Sequence, residues 1–336
     1  MDSLTHIVLG ACIGELVLDK SLGRKAMLWG ALAQSVPDID FLAAFWMETS
    51  ENLLAHRGIT HSFLFILFAS LGLSLAAEKW HRPHNISFKK WSLFFLLEMG
   101  IHILLDGCNN YGVGWFEPFW DKRISFNSIY VADPFFSIGP AIAFAFLLFL
   151  RTDHRHRVRW AWTGLLSATL YFGYTVINKL TIDLSVQELA KENGIPFQRH
   201  MTTPSALNNW LWYVVLEDSS GFHTGYRSVF DKSRTLKLEY FERKAELLGP
   251  VADHVEVHQL RRFSQGYYTV EKRGDTLVFN DLRFGQIIGW MEPRGEFVFH
   301  YYLNHPEDNE LVVQRGRFAK WDNRALQELW QRIRGH

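Results

Sequence analysis

The chain has 336 residues with 35 Lys and Arg against 35 Asp and Glu, so its formal net charge is zero. This balance gives no reason to expect a nucleic-acid partner. Two cysteines, Cys12 and Cys108, are too few for a disulfide framework or a thiolate zinc motif, and we predict that both are packing residues. The aromatic content of 15% is typical of a protein that meets lipid interfaces.

Apolar segments fill the first half of the chain and predict an α-helical, multi-span membrane domain over residues 1–178. The segments cover residues 3–18, 26–36, 62–77, 91–105, 134–150 and 160–178. A membrane-spanning helix needs about 20 residues, so it stays open whether the first two segments cross fully. We therefore predict about six membrane segments.

The placement of basic residues predicts the orientation of this domain. The loops on one side hold the larger set, which is Lys20, Arg24, Lys25, Lys79, Arg82, Lys89, Lys90, Arg151, Arg155, Arg157 and Arg159. The loops on the other side hold Arg57, Lys122 and Arg123. Cytoplasmic loops carry the excess of Lys and Arg, so the first set is predicted to be cytoplasmic. The soluble domain then lies on the outer side.

The second half of the chain reads as a helix-bearing connector at residues 179–206 and a soluble, strand-rich (α+β) domain at residues 207–336. Pro196 and Pro204 break the connector. Apolar runs between turn residues predict strands at 210–216, 226–230, 236–241, 255–263, 267–272, 276–279 and 296–303. Residues 317–333 predict a final amphipathic helix.

Two imidazoles, His56 and His61, flank Arg57 and Gly58 directly before an apolar segment. A single histidine there could simply close a loop at the membrane interface. Two of them, with hydroxyl residues adjacent, favour a binding site. Arg57 could pair with a phosphate or carboxylate of the substrate, or it could orient Asp38 or Asp40 through a salt bridge.

A polar stripe runs along the apolar segment 91–105, where Glu98, His102 and Asp106 recur four residues apart. On a helix these side chains share one face. Ionisable residues that face lipid are costly and normally point into a bundle toward a partner. A structural hydrogen-bond ladder is the alternative. We predict His102 and Asp106 as metal ligands and Glu98 as a supporting residue or proton acceptor.

Two further segments offer ligands of the same kind. Asp38 and Asp40 follow Pro37, where aspartate could also end a helix or form a turn. His6 lies four residues after Asp2, which could merely favour a helix N-terminus.

Neutral imidazole with carboxylate is the ligand set of catalytic zinc and related transition metals. The predicted metal ligands are His6, Asp38, Asp40, His56, His61, His102 and Asp106. This set suits one or two divalent ions, with zinc favoured and manganese or iron as alternatives. Asp40 and Glu98 are candidates to accept a proton from metal-activated water, and Arg57 is a third candidate catalytic residue.

The motifs resemble those of a bacterial family of inner-membrane, metal-dependent hydrolases, also described as LexA-binding inner-membrane-associated hydrolases. The matching text is Met1-Asp2-x-x-Thr5-His6, Pro37-Asp38-x-Asp40, His56-Arg57-Gly58-x-Thr60-His61-Ser62, His102-x-x-Leu105-Asp106, Tyr111-Gly112, Pro118-Phe119 and Asp133-Pro134. The resemblance covers residues 1–140 and implies a multi-pass protein of the bacterial inner membrane with a His/Asp metal site. The ligand order, ending in His-x3-Asp, is also similar to that of zinc phospholipase C and related nucleases, which suggests phosphoester cleavage.

The sequence therefore predicts a metal-dependent hydrolase in the lipid bilayer that acts on a phosphoester or lipid-linked substrate. Two alternatives stay open. Histidines and carboxylates in membrane helices also build ion pathways, so the chain could be a metal or ion transporter. It could also be a non-catalytic scaffold in which a structural metal joins helices. The sequence names no protein partner.

Overall fold

The computed structural model describes residues 1–81, 86–303, 309, 318 and 320–335, and of residues 19–21 it describes the backbone only. The chain divides into two compact units. The first comprises Met1–Phe45 and Ala55–Thr175, and the second comprises Trp46–Leu54 and Val176–His336. The predicted boundary at residue 178 lies close to this division, whereas residues 46–54 belong to the second unit.

Helices account for nearly all the regular structure of the first unit. Over both units, the helices of the described residues are, in chain order, α1 (Ser3–Leu22), α2 (Lys25–Ser35), α3 (Thr49–Ala55), α4 (Phe63–Trp80), α5 (Phe88–Asp106), α6 (Pro134–Phe149), α7 (Arg157–Glu192), α8 (Val255–Phe263) and α9 (Asn323–Ile333). Short 3₁₀-helices lie at Pro37–Phe45, Ile59–His61 and Ala245–Val251. Every apolar segment predicted for the membrane domain falls mainly within one of α1, α2, α4, α5, α6 and α7.

Side-chain caps set where the central helices begin. The Ser62 hydroxyl accepts a hydrogen bond from the Phe65 amide at the start of α4, and Ser87 does the same at the start of α5. Asp133 accepts hydrogen bonds from two amides of α6. Such caps satisfy amide groups that have no partner inside the helix.

One helix of the described residues, Phe63–Trp80, is long and apolar enough by itself to cross a membrane. Ser3–Leu18 and Pro134–Phe149 are shorter apolar helices. The prediction of about six segments is therefore not borne out as a count. The physical reason is that α2 has only 11 residues, while α5 and α7 carry several charged residues along their length.

Helices α1 and α2 pack with their backbones in direct contact. A Cβ atom on Gly30 would overlap the carbonyl oxygen of Gly10, and a Cβ on Gly14 would overlap the carbonyl oxygen of Ala26. Only glycine permits this approach. The contact holds the start of α1, with His6, against the end of α2.

The second unit contains antiparallel sheets as well as helices. Its described strands are β1 (Arg199–Pro204), β2 (Leu211–Glu217), β3 (Gly221–Ser228), β4 (Leu238–Glu242), β5 (Tyr268–Arg273), β6 (Thr276–Gln286) and β7 (Phe297–Tyr302). They make a four-stranded sheet in the order β1-β2-β3-β4 and a three-stranded sheet in the order β5-β6-β7. Both faces of β2 are buried, with Trp212 and Val214 packed on the last turns of α7 and Tyr213 packed toward Leu282.

The structure corrects several predictions for this half. Residues 255–263 form helix α8 and not a strand, because the buried residues Val257, Leu260 and Phe263 recur at helical spacing. The segment 179–206, predicted as a connector, contains the end of α7 and strand β1. Pro204 is tolerated there because it ends an edge strand. Strand β3 begins five residues before the predicted start at 226.

The final helix agrees with the amphipathic prediction. Ala325, Leu329 and Ile333 are buried on one face of α9. The predicted start of this helix, at 317, lies outside the described residues.

Candidate metal centre

Three separate segments of the first unit bring polar side chains to one place. Asp38 lies in the 3₁₀-helix Pro37–Phe45, and His61 ends the 3₁₀-helix Ile59–His61 just before α4. His102 and Asp106 lie in the last turns of α5, four residues apart. Each of these four residues offers one ligand atom, and the four atoms all lie within 4.8 Å of one another.

Several distances inside this cluster are close to those around a tetrahedral ion. His61 Nε2 lies 3.2 Å from His102 Nε2 and 3.4 Å from Asp106 Oδ2. Asp38 Oδ1 lies 3.4 Å from His102 Nε2 and 3.7 Å from His61 Nε2. Metal–ligand bonds of about 2.0–2.1 Å place the ligand atoms of a tetrahedral site about 3.3–3.4 Å apart. The cluster could therefore hold a metal ion.

The chemistry of the donor set also fits a cation. His61, His102 and Asp106 are fully buried, so few water molecules can solvate the lone pairs that converge there. Around them, the carboxylates of Asp38, Asp40 and Asp106 outnumber the Arg57 guanidinium and the Met1 amino group, which both contact Asp106. A bound cation would compensate the excess negative charge.

Asp40 lies on the far side of His61 from this cluster. Its Oδ2 is 3.2 Å from His61 Nδ1, and the same oxygen accepts hydrogen bonds from the Arg57 amide and the Thr60 hydroxyl. A carboxylate in this position fixes the ring orientation of a ligating histidine and raises its basicity. The structure thus places Asp40 as a support for His61.

Neighbouring histidines hold Asp38 and Asp40 in the ionised form. Burial on its own would raise the pKa of Asp38, but hydrogen bonds from His102 and His61 outweigh it and leave the pKa below its usual value. Burial likewise opposes the effect of His56 and His61 on Asp40, whose pKa is also below its usual value. Ionised carboxylates are the form that binds metal.

Arg57 is buried and links Asp40, Asp106 and Asn109 through its backbone amide and its guanidinium. Its backbone takes the left-handed conformation, with φ of 60°, which turns its amide toward Asp40. Its Nε lies 2.9 Å from Asp106 Oδ2, and it donates a hydrogen bond to Asn109 Oδ1. The guanidinium therefore contacts Asp106, whereas the sequence predicted Asp38 or Asp40 as its partner. Its burial leaves little access for a substrate phosphate.

His6 joins the cluster from α1 through the second oxygen of Asp106. Its Nε2 lies 3.2 Å from Asp106 Oδ1, and its ring stacks on His102 with 3.7 Å between centroids. Its Nδ1 lies 3.2 Å from Gln34 Oε1, and Gln34 in turn donates to Glu98. A buried chain of polar contacts therefore links Glu98 to Asp106 through Gln34 and His6.

His56 stays outside the cluster. Its side chain is 39% exposed and its Nδ1 lies 3.2 Å from Asp40 Oδ1. Of the seven predicted ligands, the structure brings Asp38, His61, His102 and Asp106 together. His6 contacts this group from one side, and Asp40 and His56 lie beyond His61.

The sequence interpretation missed Gln34 and Asn109, which hold His6 and Arg57. Gln34 gave a usable signal, because it is a polar residue inside an apolar helix, as Glu98 is. Asn109 follows Asp106 in a loop and gave none.

Comparison with known proteins places the helical unit in a family. The family model described as YdjM inner membrane protein matches residues 1–182. Inner membrane protein YbcI of Escherichia coli (strain K12) is 30% identical over 122 residues, which cover 36% of this chain and 69% of that protein. Uncharacterized protein YfhP of Bacillus subtilis (strain 168) is 28% identical over 152 residues, which cover 43% of this chain and 46% of that protein. No solved structure matches the chain significantly. The family match spans more than half of the chain, and the chain therefore belongs to the YdjM inner membrane protein family.

Proposed function

We propose that this protein is a metal-dependent hydrolase of the bacterial inner membrane that cleaves a phosphoester or a lipid-linked substrate. The observation that carries the proposal is the convergence of His61, His102, Asp38 and Asp106 within 4.8 Å. Nitrogen and oxygen ligands without thiolate are the set found in hydrolytic metal enzymes. Zinc suits it best, with manganese or iron as alternatives.

The residues take distinct roles in this proposal. A bound metal would supply a water of lowered pKa and polarise the scissile group. His61, His102 and Asp106 would hold the metal, and Asp40 would keep the His61 ring in place. Asp38 is the most exposed of the four, at 18% of its side chain, so it faces the side from which a substrate can arrive. Asp40 and Glu98 stay the predicted candidates to accept a proton.

Several features support a multi-pass arrangement, although α4 alone meets the length criterion among the described residues. Large apolar side chains lie exposed along the helices, among them Phe68, Leu71 and Leu75 of α4, Leu93, Leu97 and Leu104 of α5, and Ile138, Ile142 and Phe146 of α6. Such continuous exposed apolar surface is rare outside membranes and interfaces. Lipid would cover it.

The buried arginines sharpen the predicted orientation. Arg57 and Arg123 are buried and bonded within the protein, which leaves Lys122 as the one exposed member of the sparse set. From the larger set, Arg157 is buried against Glu15, and the exposed residues still include Arg24, Lys25 and Arg151. The bias that indicates the cytoplasmic side therefore persists, and we propose that the metal cluster and the second unit lie on the outer side.

A structural metal is the second candidate. Structural sites usually present four protein ligands and keep no open position, and the cluster here offers four. In that case the ion would join α5 to the 3₁₀-helices that hold Asp38 and His61, and it would not catalyse a reaction.

Purified protein in lipid nanodiscs tests the proposal. We expect one or two divalent ions per chain and metal-dependent cleavage of a phosphodiester panel. We expect both to be lost in His102→Ala, while His223→Ala, in the second unit, keeps both. Metal loading without any hydrolysis would favour the structural role. Full metal and full activity in His102→Ala would overturn the site assignment.

A further inference from the structure

An exposed aromatic turn lies next to the metal centre. We call Phe116, Phe119 and Trp120 the aromatic shelf. Phe119 is 84% exposed, and Phe116 and Trp120 are exposed with ring centroids 5.6 Å apart. Amides of Phe119 and Trp120 donate hydrogen bonds to the Phe116 carbonyl, so the turn is compact. The fold thus holds these rings in place on the surface.

Direct backbone contacts attach the shelf to the start of α4. The amide of Phe63, the first residue of α4, donates to the Trp115 carbonyl at 2.9 Å. The Phe63 ring lies 5.7 Å from Phe116, centroid to centroid. The shelf therefore sits at the level where the candidate membrane-spanning helix begins.

Aromatic residues also mark the other end of α4. Trp80 ends the helix, is exposed, and packs edge-on against Trp29 at 6.4 Å. The 18 residues of α4 extend about 27 Å, close to the roughly 30 Å of a bilayer hydrocarbon core. Aromatic side chains gather at both membrane–water interfaces. The two groups thus have the spacing of the two headgroup regions.

The metal centre lies at the depth of the shelf. His61 precedes Phe63 by two residues, and the Gly114 amide, one residue before Trp115, donates to the Arg57 carbonyl at 2.9 Å. Lys122 Nζ lies 5.8 Å from the Trp120 ring centroid, so the shelf has a charged group beside it that can stay in water while the rings contact lipid.

We propose that the aromatic shelf inserts into the headgroup region of the outer leaflet and that the substrate is a membrane phospholipid that reaches the metal centre from that leaflet. The substrate assignment rests on the proposed hydrolase function, whereas the lipid contact of the shelf does not. Continuity with α4 favours lipid over a protein partner or a second copy of the chain.

A depth measurement tests the lipid contact without any activity. Spin labels are attached at Phe119→Cys, at Leu71→Cys in the middle of α4, and at Lys232→Cys in the second unit, in nanodiscs that contain anionic lipid. Cys12 and Cys108 are buried, and unlabelled wild type verifies that they do not react. We expect the Phe119 label to show an oxygen-to-nickel-chelate accessibility ratio between those of the other two. A ratio equal to that at Lys232, or low access to both reagents as in a protein contact, would overturn the proposal.

Hydrolysis assays test the substrate. Phe119→Ser is compared with Phe149→Ser, a control with 86% exposure at the end of α6. We expect Phe119→Ser to lower cleavage of vesicle phospholipid about tenfold and to leave cleavage of soluble bis(p-nitrophenyl) phosphate within about twofold of wild type. Equal effects on both substrates, or none, would overturn the substrate assignment. If metal-loaded wild type cleaves neither substrate, the hydrolase function fails, and the label depth still decides the lipid contact.

Discussion

Replacing Asp40 with asparagine should weaken metal binding without removing a ligand. Asp40 Oδ2 lies 3.2 Å from His61 Nδ1, on the opposite side of the ring from the ligand atom Nε2. Asparagine keeps the shape of the side chain but loses the negative charge. Loss of such a supporting carboxylate costs about 10- to 100-fold in metal affinity. This corresponds to about 1.4–2.7 kcal/mol.

The assay is competition for zinc between the purified protein in nanodiscs and a chromophoric chelator of known affinity. Asp218→Asn is the matched control, because Asp218 lies at the same 3.2 Å from His223 in the second unit. We expect that control to bind zinc like wild type. The His61→Ala variant gives the affinity that remains after a ligand is lost.

Two results would refute this reasoning. An Asp40→Asn affinity within twofold of wild type would mean that Asp40 does not orient His61. A loss as complete as that of His61→Ala would instead make Asp40 a ligand, as one sequence interpretation had it.

Three further predictions concern stability, measured as thermal unfolding of the detergent-solubilised protein. Gly30→Ala should lower the unfolding temperature because a Cβ would push α1 away from α2. Gly72→Ala is the control and should not lower it, because the space around Gly72 is open. Equal unfolding temperatures for the two variants would contradict this prediction. Arg157→Met should cost about 3–5 kcal/mol because it leaves Glu15 buried and uncompensated, and adding Glu15→Leu should restore much of the loss. An unfolding temperature equal to that of wild type would contradict it. Metal removal should destabilise wild type by about 2.7 kcal/mol relative to protein with free zinc at 100 times its Kd, and His102→Ala should show no such effect.

The helices of the first unit could be predicted from their apolar runs, and several of these runs begin at residues that favour the start of a helix. Ser62 and Asp133 are caps, and Pro134 stands at the first position of α6, where proline is favoured. The number of helices that cross a membrane could not be predicted from the apolar runs alone. An apolar run does not fix the length of its helix, and α2 has only 11 residues.

The strands of the second unit were harder to read. Val255 and Val257 alternate as in a strand, yet Val257, Leu260 and Phe263 are the buried residues of α8, at helical spacing. A nine-residue run does not distinguish the two periods, and only its packing partners do.

The candidate site could be predicted in part. His102 and Asp106 stand out because ionisable residues are costly in an apolar helix. Asp38 and Asp40 could not be told apart, because their ligand types are identical. The 3₁₀-helix after Pro37 directs Asp38 into the cluster and Asp40 to the far side of His61. The different positions of Asp38 and Asp40 depend on tertiary contacts with His61 and His102, and sequence spacing does not predict such contacts.

The most direct test of the account is the metal coordination of the purified wild-type protein beside His102→Ala, by elemental analysis and X-ray absorption. The account predicts bound divalent metal with nitrogen and oxygen ligands at about 2.0–2.1 Å, lost when His102 is replaced. Wild-type protein without bound metal after zinc loading, or undiminished metal in His102→Ala, would contradict it.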